Sequence, residues 1–292
     1  MSLSAATTKT LKNGVKIPII GLGVYKAPKD ETETIVYKAL QQGYKHIDSA
    51  QFYGNEREVG LAIAKFLKDT PGKSRADVFY TTKLAPTNTT YEQAKSAIEE
   101  SLQKVKEIGY VDLFLIHAPA AEKQQRLNMW KALQEYYEEG KIKAIGVSNY
   151  SVLLLKELLG WDGLKVEPAV NQFELNPWLV RPDLVEFCKA QNIIIEAFSP
   201  LTRGHRLEDP ELLELIEKSY PGKTTAQILI RWSLQMGFVP LPKSSNEKRL
   251  LSNLQSLDFE ISDADMEKLT HKDDYYVSNP NFDPIKKYFD KW

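Results

Sequence analysis

The sequence predicts an α/β fold, a closed (β/α)8 barrel of the TIM type, built as one domain over residues 1–292. Three observations lead there. Eight short strand patterns alternate with helical patterns along the chain, the order that gives a parallel sheet covered by helices. Several strands are near-continuous apolar runs, FLI at 114–116 and III at 193–195 among them, as strands buried on both faces require. No strand leads into the G-x-G-x-x-G turn of an open dinucleotide-binding sheet, because Gly21-Leu22-Gly23 continues as Val24-Tyr25-Lys26.

Taken in order, weak alternation up to residue 22 around the turn Asn13-Gly14 predicts an N-terminal β-hairpin. Residues 19–23 read as the first barrel strand and 31–42 as a helix stopped by Gly43. Further strands are predicted at 45–48, 78–83, 110–116, 142–147, 169–172, 193–198 and 238–241. Helices are predicted at 55–68, 91–106, 122–139, 151–159, 182–190, within 210–235, at 247–255 and at 263–269. A polar loop spans 201–209, and the residues from His271 onward read as an irregular C-terminal tail.

Composition narrows the function. Apolar content of 42% and charged content of 26% suit a globular enzyme, and a net charge of −1 gives no reason to expect nucleic acid or an anionic membrane as partner. The lone Cys188 excludes an internal disulfide and reads as a buried small hydrophobe. Without a leader pattern or a run of about eighteen apolar residues, a cytoplasmic protein is expected, with a monomer as default. The scattered histidines predict no metal site.

In such barrels the site forms where strands end. The strand assignment puts Asp48, Lys83 and His117 at successive strand ends, with Tyr53 just after the second strand. A phenol with an ordinary pKa of about 10 is a poor acid near neutrality, and a nearby ammonium stabilises its anion. Lys83 can do this for Tyr53, Asp48 can hold Lys83, and His117 can orient a substrate oxygen. Each also has an ordinary reading: an ion pair, a core histidine, an exposed turn aromatic. Ser148, Asn149, Gln172, Phe198, Ser199 and Leu201 gather at the same predicted face, with groups for a carboxamide and a flat ring. Lys243, Ser244 and Arg249 can hold a phosphate or form a solvated basic face.

Five segments in one order resemble the aldo-keto reductase family: HIDSAQFYGNEREVG, LFLIHAP, KIKAIGVSNY, VNQFELNPWL and LPKSSNEKRLLSN. Within it the chain is most similar to NADPH-dependent carbonyl and keto ester reductases of the fungal type. The resemblance implies an oxidoreductase that reduces aldehydes or ketones with NADPH, and it makes Asp48, Tyr53, Lys83 and His117 the catalytic set. It gives Ser148, Asn149 and Gln172 to the nicotinamide carboxamide, Phe198 to its ring, and Ser199 and Leu201 to the pyrophosphate. Lys243, Ser244 and Arg249 go to the 2′-phosphate and Asn253 to adenine, with Gly23, Val24 and Asp48 also beside the cofactor. The chain departs from the family where Ser252 replaces a common glutamate, and where Tyr25, Ala85 and Ala118 replace common tryptophans. With His117, those last three would line a roomier substrate pocket. The rival readings are a non-enzymatic NADPH-binding sensor or scaffold, and a barrel hydrolase or isomerase using Glu174 and Glu196.

Overall fold

A computed structural model describes residues 3–270 and 274–287. Strands β1 (Thr8–Thr10) and β2 (Lys16–Pro18) form the antiparallel hairpin. The barrel strands are β3 (Leu22–Gly23), β4 (His46–Asp48), β5 (Phe79–Leu84), β6 (Val111–Ile116), β7 (Ile142–Ser148), β8 (Val170–Glu174), β9 (Ile194–Phe198) and β10 (Val239–Leu241). Each pairs in parallel with the next, in the order β3 to β10. Two further bonds close the ring: the Gly21 N–H donates to Pro240 O at 3.0 Å and the Gly23 N–H to Pro242 O at 3.2 Å. A Cβ at Gly21 would stand 2.7 Å from Leu241 Cδ2, and one at Gly23 3.2 Å from Leu241 O, so the seam closes because neither position carries a side chain. The regular part of the first strand, Leu22–Gly23, is shorter than the apolar pattern over 19–23 predicts.

Helices α1 (Lys29–Gln41), α2 (Glu56–Asp69), α3 (Tyr91–Lys104), α4 (Lys123–Glu138), α5 (Val152–Leu159) and α6 (Pro182–Ala190) fill the successive crossovers. The pair α7 (Pro210–Ser219) and α8 (Thr225–Gln235) precedes β10, and α9 (Glu247–Leu254) and α10 (Asp263–Thr270) follow it. Their starts carry the expected chemistry. The Thr90, Ser151, Asp209, Thr224 and Asn246 side chains each accept the N–H three residues on, a cap worth about 1 kcal/mol each.

Alternation along the strands sorts the two faces. Outward residues such as Phe114, Ile116, Ile145 and Val147 pack with Trp130 and Trp232 of the helices. Inward Phe79, Leu113, Leu115, Ala144 and Val170 form a separate cluster with Leu11 and Ile17, so the hairpin plugs the end where the strands begin.

The tail is irregular over its described residues apart from a single turn. Among its described residues, Pro284–Lys287 form one helical turn, α11. The rest is strapped to the barrel mouth: Arg181 donates to Tyr275 Oη and Asp283 Oδ1, both at 3.0 Å, and the Ser278 N–H donates to Glu174 Oε1 at 2.9 Å. His271 and the two residues after it, with the last five of the chain, lie outside the described residues.

Candidate active site

β4 delivers Asp48 to the mouth, and a short 3-10 turn, Gln51–Tyr53, presents Tyr53 before α2 begins. Gln51 pins that turn. Its amide donates to Ala97 O at 2.8 Å and Ser101 Oγ at 2.9 Å, and its carbonyl accepts from the Ala85 N–H at 2.8 Å. Gly54 ends the turn at φ 68, a left-handed conformation in which a side chain is strained.

Asp48, Tyr53, Lys83 and His117 converge. The fully buried Lys83 Nζ lies 2.6 Å from Asp48 Oδ1, donates to Ser49 O at 2.8 Å and reaches the Tyr53 hydroxyl at 3.4 Å. The Tyr53 ring meets the His117 ring edge-on at 5.6 Å. Burial works against the Lys83 charge, but Asp48 and Tyr53 outweigh it and hold the amine above its usual pKa. For Tyr53 burial is again the largest influence. It raises the phenol above its usual value, against the lowering pull of the Lys83 ammonium. Burial, with Lys83 adding to it, drops the His117 imidazole to about 3, so it stands neutral. Its Nδ1 is buried without a hydrogen-bond partner.

Beneath these groups the barrel interior is polar where such barrels usually stack branched apolar side chains. The Gln172 amide nitrogen donates to both Asp48 Oδ2 and Glu196 Oε2, each at 2.9 Å. His46 Nε2 lies 2.9 Å from Thr81 Oγ1 and 3.6 Å from Glu196 Oε1. Burial and the Asp48 charge push the Glu196 carboxyl up to about 8, and burial drops His46 to about 3. Sequence reasoning raised Glu196 only as a rival's carboxylate and passed over His46. Strand alternation from Asp48 and Phe198 would have put both inside the barrel.

The residues predicted to meet a cofactor fall into two groups. Asn149, at φ 63 just after β7, donates through its amide to His117 O and Ser148 Oγ, both at 3.0 Å, and Ser148 Oγ donates to Gln172 O at 2.7 Å. The amide donors of Asn149 and Gln172 are thus spent within the chain, and their carbonyl oxygens remain as acceptors. Gly23 and Val24 run past Asp48, whose carbonyl accepts the Val24 N–H at 3.0 Å. Half-buried Phe198 ends β9, and Ser199, at φ 48, turns the chain toward Leu201. After β10, Lys243 and Arg249 are exposed beside Ser244, with Arg249 Nε 3.5 Å from Ser244 Oγ at the start of α9. Asn253, buried like Ser244, bonds the Tyr44 hydroxyl.

Near the same strand ends, Ala85 and Ala118 are each 7% exposed, and the exposed Tyr25 ring lies 5.0 Å from Tyr53. Phe52, 58% exposed and 5.6 Å from the His117 ring, received no role from the sequence. Its place immediately before Tyr53 in a single turn was the available signal. The carboxylate pair of the hydrolase reading separates: Glu174 is engaged with Ser278 at the mouth and Glu196 with Gln172 in the interior.

A closed α/β barrel with a lysine, an aspartate, a tyrosine and a histidine at one mouth is the architecture of a barrel oxidoreductase. The comparisons carry this to a family. The model of the Aldo/keto reductase family matches residues 20–274, and the chain belongs to that family, which generally uses NAD(P)H. An oxidoreductase of Saccharomyces cerevisiae is 46% identical over 266 residues, covering 91% of this chain and 94% of its own. Glyoxal reductase of Bacillus subtilis is 39% identical over 284 residues, covering 96% and 99%. Among solved structures, an aldo-keto reductase from a Medee basin deep-sea metagenome library superposes with a TM-score of 0.84 at 36% identity, covering 93% of this chain and 96% of its own. An aldo/keto reductase from Brucella melitensis gives a TM-score of 0.84 at 39% identity, covering 91% and 99%.

Proposed function

We propose that the protein reduces aldehydes and ketones, keto esters included, to alcohols with NADPH, and that Tyr53 is the proton donor. The observation that carries this is the placement of the Lys83 ammonium between the Asp48 carboxylate and the Tyr53 hydroxyl. Tyr53 keeps its proton at rest, because burial holds its pKa up. As a substrate oxygen gains negative charge, the phenol passes that proton to it, and the ammonium stabilises the phenolate left behind. His117, neutral with Nδ1 unpartnered, carries its proton on Nε2 and uses it to orient the carbonyl oxygen.

The chain's residues fit a nicotinamide cofactor. The Asn149 and Gln172 carbonyl oxygens are acceptors for a carboxamide NH2, and Phe198 offers a ring face. Lys243, Ser244 and Arg249 at the N-terminus of α9 suit a phosphate, which favours NADPH over NADH. When bound, the reduced nicotinamide supplies the hydride. Ala85 and Ala118 leave room for branched ketones. The test is loss of NADPH absorbance with a carbonyl panel that includes glyoxal, run beside NADH. No oxidation with any carbonyl would overturn the reading.

A further inference from the structure

Glu196 is fully buried at the middle of β9, yet it belongs to neither the catalytic set nor the cofactor set. Gln172 on β8 gives one amide hydrogen to Glu196 Oε2 and the other to Asp48 Oδ2, each at 2.9 Å, so a single amide joins the two carboxyls. From β4, His46 Nε2 faces Glu196 Oε1 at 3.6 Å, and that oxygen has no hydrogen-bond partner. β5 supplies Thr81, bonded to His46, and Lys83, whose charge reaches Glu196. β10, the other neighbour of β9, brings only Val239, Pro240 and Leu241.

We propose that Glu196 is a positioning residue of this site, a buried acid that acts through its own protonation on Asp48 and Lys83 and so on the proton held by Tyr53. The inference rests on the reading of Tyr53 as donor. Two carboxyls sharing one amide, with one ammonium between them and the phenol, cannot both ionise cheaply. Asp48 holds the ammonium, so Glu196 is the one that keeps its proton, and His46, neutral beside it, does not take it. While Glu196 is neutral, the Lys83 charge is answered by one carboxylate and the remainder serves the phenolate. Once Glu196 ionises, a second negative charge beneath Lys83 opposes that phenolate, and proton delivery slows.

The experiment compares the alkaline limb of kcat/KM for NADPH-dependent carbonyl reduction in the wild type, Glu196→Gln and Glu196→Asp, each scaled to its own neutral plateau. The carboxamide cannot ionise, so the limb in Glu196→Gln should move up by about one pH unit or more, while Glu196→Asp keeps it. Superimposable limbs in wild type and Glu196→Gln would overturn the inference. Infrared titration of the wild type gives a readout without turnover: a protonated carboxyl band at neutral pH that disappears on the alkaline side, and that shifts in Glu196→Asp or vanishes in Glu196→Gln. A band that both variants leave in place overturns the inference even where a variant folds poorly. A wild type that turns over no carbonyl but shows the titrating band would instead sink the Tyr53 reading alone.

Discussion

Asp48 Oδ1 holds the Lys83 ammonium at 2.6 Å in a part of the barrel that excludes water. Removing one member leaves the other as an uncompensated buried charge. Lys83→Met keeps the bulk and should cost about 3–5 kcal/mol of stability. Turnover should be lost with it. Thermal unfolding checks the first part, and an unchanged Tm would show that the pair holds nothing together.

Tyr53→Phe removes the phenolic proton and little else. The expected outcome is a fall in kcat/KM of about 100-fold or more. NADPH affinity, read by fluorescence titration, should stay close to that of the wild type. A variant that turns over normally would mean that another group delivers the proton.

Arg249→Ala removes a fork of donors beside Lys243 and Ser244. A lost charge-assisted contact should raise KM for NADPH about tenfold. NADH lacks the phosphate, so its KM should barely move. Equal changes for both cofactors would place the phosphate elsewhere.

Ala85→Trp and Ala118→Trp add bulk beside the mouth. Each should raise KM for bulky ketones more than for small aldehydes. Parallel changes across a substrate panel would count against a roomy pocket. Phe52, near His117, makes a useful companion, since Phe52→Ala should relax the same discrimination.

Stability should peak near pH 6.5 on account of three buried groups. His46 and His117 fall to about 3 when folded, from an ordinary 6.5. Between those values the unfolded chain binds more protons, so stability drops as pH falls. Glu196 rises from 4.5 to about 8, so the folded state binds the extra proton and stability drops as pH climbs toward 8. Above about 6.5 the histidines are neutral in both states and only the Glu196 slope remains. Tm measured from pH 6.5 to 8 should decline in the wild type and stay flatter in Glu196→Gln. An identical decline in both would assign the slope to some other group.

The alternation of strands and helices was legible because it is local, and so was the convergence at the mouth. Asp48, Lys83 and His117 are the residues at which apolar strand patterns stop, and neighbouring strands bring neighbouring ends together. What stayed illegible depends on long-range pairing. The ring closes through bonds from Gly21 and Gly23 to a segment more than two hundred residues away. The meeting of His46 with Glu196 likewise requires a ring to close. The tail read as irregular because its contacts, from Tyr275 and Asp283 to Arg181, leave no periodic trace.

The hairpin makes the barrel a cup rather than a tube. Leu11 and Ile17 seal its base against Phe79 and Leu113, so the ionisable groups at mid-depth can trade protons with bulk water only through the rim. Tyr53 and His117, both partly exposed, stand at that rim. A molecule seated there would cover the mouth and stand between those groups and bulk water.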